Sequence, residues 1–162
     1  MNVLVTTASK HGATAEIGEA IAKVLNARGH ATVVMAPEEV EHVDNVDAVI
    51  IGSAVYAGHW LKSAKQLIER CQAGLVGIPV WTFSSGPIGD PPKPDEDPVD
   101  VADILTAVNT TEHRLFAGKL DVDKLGFAER AIIKALRAPS GDFRDWEAIK
   151  SWANEIGAAL AG

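Results

Sequence analysis

Cysteine is almost missing from this chain. Cys71 stands alone among 162 residues, which rules out an intrachain disulfide and points to a reducing compartment. Basic residues are also scarce, 15 against 22 acidic ones, for a net charge of −7. Phosphate backbones reward dense Lys and Arg surfaces, so nucleic acid is not the expected partner. An acidic balance instead favours solubility and suits docking onto basic partner proteins. No apolar run approaches the roughly eighteen residues of a membrane span. The first residues, Met1-Asn2-Val3-Leu4-Val5-Thr6-Thr7, lack the basic and apolar regions of a signal peptide, so the cytoplasm is the expected location.

Several chemistries lack their motifs. There is no Gly-x-Gly-x-x-Gly after the first apolar run and no Gly-x-x-x-x-Gly-Lys-Ser/Thr, which argues against dinucleotide and triphosphate sites. Gly-x-Ser-x-Gly is absent, so the nucleophile elbow of a hydrolase is missing. A phosphorelay receiver would need acids where Thr6-Thr7 and Gly52-Ser53 stand. The five histidines, His11, His30, His42, His59 and His113, lack ligand spacing, and no metal site is expected. His30, His42 and His113 read as solvated residues at element ends.

What is present is alternation. Hydrophobic residues make up 47% and charged residues 23%, enough for one domain of residues 1–162 with a real core. Short apolar runs at Val3–Val5, Ala31–Met35, Ala48–Gly52, Ile78–Phe83 and Arg114–Gly118 predict five strands. Helical periodicity predicts helices over Ala13–Arg28, Trp60–Ala73, Val99–Val108, Asp121–Arg137 and from Asp145 onward. Gly29 is placed to end the first in a left-handed turn, and Asp145 to cap the last. This is the pattern of a doubly wound parallel α/β sheet, with order 2-1-3-4-5 once right-handed crossovers are imposed. The five prolines between Gly86 and Pro98 make that stretch a long loop.

Ligands in such sheets bind beyond the carboxyl ends of the strands, where strand order reverses, here between the first and third strands. Three segments converge there. Ser9-Lys10-His11-Gly12-Ala13-Thr14 leads straight into a helix, whose unpaired N–H groups attract phosphate. Gly12 permits close approach, Ser9 and Thr14 offer hydroxyls and Lys10 adds charge; the plain alternative is an ordinary hydroxyl-rich turn. Ser53-Ala54-Val55-Tyr56-Ala57-Gly58-His59-Trp60 brackets a glycine with aromatic residues, which suits a planar heterocycle but equally suits surface packing. Ser84-Ser85-Gly86-Pro87-Ile88-Gly89 is small and polar, with backbone amides for a ring edge.

These segments carry a family resemblance. Ser9 through Thr14 resembles the flavodoxin phosphate loop, with His11 where a second Thr is usual. Gly52 to Trp60, with Gly58-His59, is more particularly similar to the flavodoxin-type, menaquinone-dependent protoporphyrinogen oxidases. Phe116-Ala117-Gly118-Lys119-Leu120, the helix up to Arg137 and Gly141 through the Trp146 helix extend the likeness almost end to end. The resemblance implies a flavodoxin-like three-layer sandwich and noncovalent FMN, its phosphate on Ser9–Thr14 and its ring between Ser53–Trp60 and Ser84–Gly89. It further implies an oxidoreductase passing electrons from a reduced substrate through the flavin to a quinone-type acceptor. An electron-carrying flavodoxin serving a redox partner protein is the alternative, and a flavin-free interaction scaffold a third.

No residue's type and spacing mark it as a catalytic acid or base. His59, beside the expected ring, is either a functional group or a loop-packing one. Cys71, Trp81, Trp146 and Trp152 read as core residues. The stripe Leu125, Ala128, Ile132, Ile133 and Leu136, with Lys124, Arg130, Lys134 and Arg137 around it, reads as a packed helix or as a docking surface for a membrane quinone or a partner.

Overall fold

A computed structural model of the chain describes residues 1–86, 98–120, 125–136 and 141–162. Pro87, Ile88 and Gly89 lie outside the described residues, as do positions 121–124 and 137 of the expected fourth helix.

Strand β1 (Asn2–Ala8) leads into α1 (Ala13–Ala27), then β2 (Ala31–Met35), a 3-10 turn at Pro37–Glu39, and β3 (Ala48–Tyr56). A short strand β4 (His59–Trp60) precedes α2 (Lys62–Leu75), β5 (Val80–Ser85), α3 (Val101–Ala107) and β6 (His113–Phe116). The chain closes with β7 (Lys119–Leu120), α4 (Phe127–Leu136), β8 (Gly141–Asp142) and α5 (Trp146–Ala161). The main sheet is parallel in the order β2-β1-β3-β5-β6, which is the expected arrangement with β4 added beside β3.

Each face of the sheet buries its own core. Val3, Val5, Ile50 and Phe83 pack beneath α1 and α5, against Ile17, Ile21, Leu25, Ile149, Trp152 and Ile156. Leu4, Val49 and Ile51 pack with Ala64, Leu67, Ile68, Cys71 and Leu75 of α2 and with Ile104 of α3 on the other face. Strands covered on both sides read as continuous apolar runs, which is why Ala48–Ile51 was legible. Gly52 is forced by packing: a Cβ there would lie 2.1 Å from the Phe83 ring on the neighbouring strand. Cys71 is buried, and that burial pushes its thiol up from the ordinary value, so it behaves as a core residue. Asp145 caps α5, accepting from the Ala148 N–H at 3.0 Å.

Three expectations need correction. The third strand does not stop at Gly52; it continues to Tyr56 and turns back on itself, so Ser53–Tyr56 are strand and not loop. Ala57 and Gly58 form the two-residue turn, both at positive φ (51° and 79°), as the turn that matches strand twist demands. An alanine there costs roughly 1 kcal/mol in backbone strain and gave no signal in the sequence. Ser84 and Ser85 likewise belong to β5. Finally, His30 is not solvated, and His113, half-buried at the start of β6, is also bonded within the protein. His30 is buried and its Nε2–H donates to the Gly157 carbonyl at 3.3 Å, and His113 joins the hydroxyl network described below.

Candidate functional site

Register brings the site together. Ala8 pairs with Ser53, Ser53 with Ser84 and Ala54 with Ser85, so the carboxyl ends of β1, β3 and β5 lie side by side. The loop after β1 therefore faces the β3–β4 hairpin. A direct contact joins them, with Lys10 Nζ 5.3 Å from the centre of the Tyr56 ring.

The Ser9–Thr14 loop ends at Gly12, which starts α1 from a left-handed conformation (φ 90°) with open space where a Cβ would stand. The Gly12 N–H donates to Ser9 Oγ at 3.0 Å, closing the turn. Thr14, in the first turn of α1, is 2% exposed, and among the described residues no group hydrogen-bonds its hydroxyl. A hydroxyl in the first turn of a helix, beside the unpaired N–H groups of its N-terminus, is suited to an anion.

Charged groups brace the loop from outside. Glu129 of α4 lies 3.1 Å from Lys10 Nζ, and its other oxygen accepts from His11 Nε2–H at 3.0 Å. The His11 and Lys10 hydrogen bonds lower its carboxyl from 4.5 to about 2. Arg144, just past β8, has a side chain only 4% exposed. It donates to Asp142 at 2.8 and 2.9 Å and to the Ala13 carbonyl at 3.2 Å, pairs with Glu16 at 3.4 Å and stacks on Trp146. Sequence reasoning missed Glu129 and Arg144, because each acts across more than a hundred residues with no motif around it.

The hairpin is held by Asp100, next to α3. Its carboxylate accepts from the Trp60 N–H at 3.0 Å and from His59 Nδ1–H at 3.2 Å, with Lys65 Nζ at 3.4 Å. Partial burial alone would raise Asp100, but those donors outweigh it and its pKa is lowered. His59 is thus turned toward Asp100, with its side chain half exposed. Tyr56 is 38% exposed; burial of its hydroxyl and the nearby Glu129 raise its pKa.

Beneath the hairpin lies a network of hydroxyl, indole and imidazole groups. Trp60 is 2% exposed and donates from Nε1–H to Ser84 Oγ at 2.8 Å. Thr82 donates to the Glu112 carbonyl at 2.7 Å, so it accepts from His113 Nδ1–H, also at 2.7 Å. His113 Nε2 lies 3.1 Å from the Ser84 hydroxyl, within hydrogen-bond distance. Ser53 Oγ accepts from the Leu61 N–H at 3.0 Å and donates to the Ala54 carbonyl. Trp60 therefore underlies the site and does not offer it a ring face. On the far side, the Gly86 N–H donates to the Phe116 carbonyl, and a Cβ on Gly118 would lie 3.0 Å from Gly86 Cα, so these turns touch backbone to backbone.

A parallel sheet with a glycine-opened helix start at its switch point and an aromatic hairpin beside it is the architecture of the doubly wound nucleotide-binding class. A family model described as flavodoxin domain matches residues 4–146, and the chain belongs to that family. The family implies FMN as the cofactor. The residues fit it: the open Gly12 turn at the start of α1, with the Ser9 and Thr14 hydroxyls beside it, is suited to a phosphate, and the partly exposed Tyr56 on the hairpin to a ring. Solved structures agree in fold. An archaeal flavodoxin is 16% identical with a TM-score of 0.68 over 100% of both chains. Flavodoxin 2 from Bacillus cereus is 19% identical with a TM-score of 0.64, also over 100% of both. Rubredoxin oxygen:oxidoreductase from Desulfovibrio gigas is 16% identical with a TM-score of 0.66, over 99% of this chain, which spans 36% of that protein's length. No curated protein matches the chain. Among the described residues no helix is long and apolar enough to cross a membrane.

Proposed function

We propose that the chain is an FMN-dependent oxidoreductase, similar in role to the menaquinone-dependent protoporphyrinogen oxidases, that moves electrons from a reduced substrate to a quinone-type acceptor. Bound flavin supplies the electron-transfer chemistry. The chain's part is placement. Ser9, Lys10, His11, Gly12, Ala13 and Thr14 hold the phosphate, and the Ser53–Trp60 hairpin and the Ser84–Gly86 strand end border the ring. The network under Trp60 fixes the hairpin, so the ring plane is set before substrate arrives.

The observation that supports an enzyme most is the β7–α4–β8 segment, which sits against the phosphate loop through Glu129 and Arg144. Its α4 carries Phe127, 92% exposed, with Arg130 and Lys134 beside it, a surface that an apolar acceptor at the inner face of a membrane could approach. Purified protein should first show a flavin absorption spectrum, with FMN identified by mass after release. Protoporphyrinogen should then reduce the flavin and a menaquinone analogue reoxidise it; a flavin that stays oxidised with substrate ends this reading.

The second reading is an electron carrier between partner proteins, favoured by the net charge of −7, which suits a basic reductase. It expects a redox titration with two separated one-electron steps; a single two-electron step counts against it.

A further inference from the structure

One carboxylate already sits where a phosphate's cationic partners are. Glu129 reaches from α4 to two successive residues of the loop, 3.1 Å from Lys10 Nζ and 3.0 Å from His11 Nε2. Its side chain is partly exposed, so water can take its place. Carboxylate and phosphate monoester use the same kind of donor, charge-assisted N–H groups, through oxygens of similar spacing. The remaining anion-binding features of the loop, the Thr14 hydroxyl and the start of α1, have no contact with Glu129 among the described residues. Two anions crowded on Lys10 and His11 repel each other, so the carboxylate must yield these groups to a phosphate or weaken its binding.

We propose that Glu129 sets the loop's affinity and specificity for flavin phosphate by competing with it for Lys10 and His11, so that FMN entry releases α4 from the loop. This rests on the reading that Ser9–Thr14 holds the phosphate of FMN. Glu129 is a positioning residue here, and the two groups it holds directly, Lys10 and His11, are those assigned to the phosphate end of the cofactor. Riboflavin, which has the same ring and no phosphate, should be indifferent to it.

Fluorescence titrations with FMN and with riboflavin, on wild-type protein and Glu129→Gln, separate the possibilities. Removing the competing charge should tighten FMN by about tenfold while riboflavin changes by less than about twofold. Hydrogen exchange on the wild-type protein gives a second readout that needs no variant. FMN should speed exchange of the α4 amides and riboflavin should not. Equal or weaker FMN binding by Glu129→Gln, or α4 amides that become more protected with FMN, overturns the competition and leaves the cofactor site intact. Wild-type protein that takes up neither flavin overturns the site and the competition together.

Discussion

The two halves of the binding edge are held by different physics. On the β1 side the Ser9–Thr14 loop is braced by ions: Glu129 with Lys10 and His11, and Arg144 with Asp142 and Glu16. On the β5 side the hairpin rests on a buried hydrogen bond from the Trp60 indole to Ser84, continued by part-buried ones through His113 and Thr82. The Glu129 pairs are partly exposed and cost little to exchange because water competes for them, whereas the Arg144 side chain, only 4% exposed, stays as a fixed brace. A buried neutral bond, once broken, leaves a desolvated group without a partner. The first half is therefore suited to admitting and releasing a charged group, and the second to keeping a surface fixed.

The sharpest way to break this comparison is to attack the buried half. Trp60→Ala removes a fully enclosed indole and should cost about 3–5 kcal/mol of stability, read as a fall in the urea midpoint. A loss below 1 kcal/mol would show that the hairpin does not depend on what lies under it. Ser84→Ala is the milder version. It deprives the Trp60 indole Nε1–H of its acceptor and His113 Nε2 of its partner, and should cost about 1–3 kcal/mol. On the loop side, Thr14→Ala should leave folding almost unchanged and weaken FMN binding by about 1–2 kcal/mol, measured by fluorescence titration. Unchanged affinity would place the phosphate elsewhere.

How much of this was legible depended on whether the physics was local. The strands covered on both faces and the amphipathic helices follow from periodicity, and β2 and the start of α1 fall where the residues placed them. The Ser9–Thr14 loop stands out as a candidate because its hydroxyls, lysine and glycine lie within six consecutive residues. The hairpin was not, because Ser53 and Ala54 are too small to show alternation and Ala57 takes a conformation its side chain disfavours. His113 looked like a solvated strand end because its partners, Thr82 and Ser84, are about thirty residues away on the neighbouring strand. Glu129 and Arg144 were illegible for the same reason at longer range, although they decide how the loop is braced.

The ionic half also predicts how the protein meets acid. Glu129, held by His11 and Lys10, is lowered from 4.5 to about 2. Asp142 is lowered chiefly by Arg144, and Asp100, despite the opposing effect of burial, by His59, the Trp60 N–H and Lys65. The folded chain thus binds fewer protons than the unfolded chain wherever these groups are free to titrate only after unfolding. Stability should therefore rise with pH between roughly 2 and 5 and gain nothing further from these groups above it. The contribution is complete above the unfolded values and is lost as pH falls through the folded ones. Glu129→Gln should make this acid limb shallower and lower the midpoint at pH 7 by the matching amount, a modest one because the pair it removes is partly exposed. Urea melts at several pH values between 3 and 7 test this. Parallel acid limbs for wild type and variant would mean that the Glu129 bridge contributes nothing to the fold, and the contrast between the two halves would lose its ionic side.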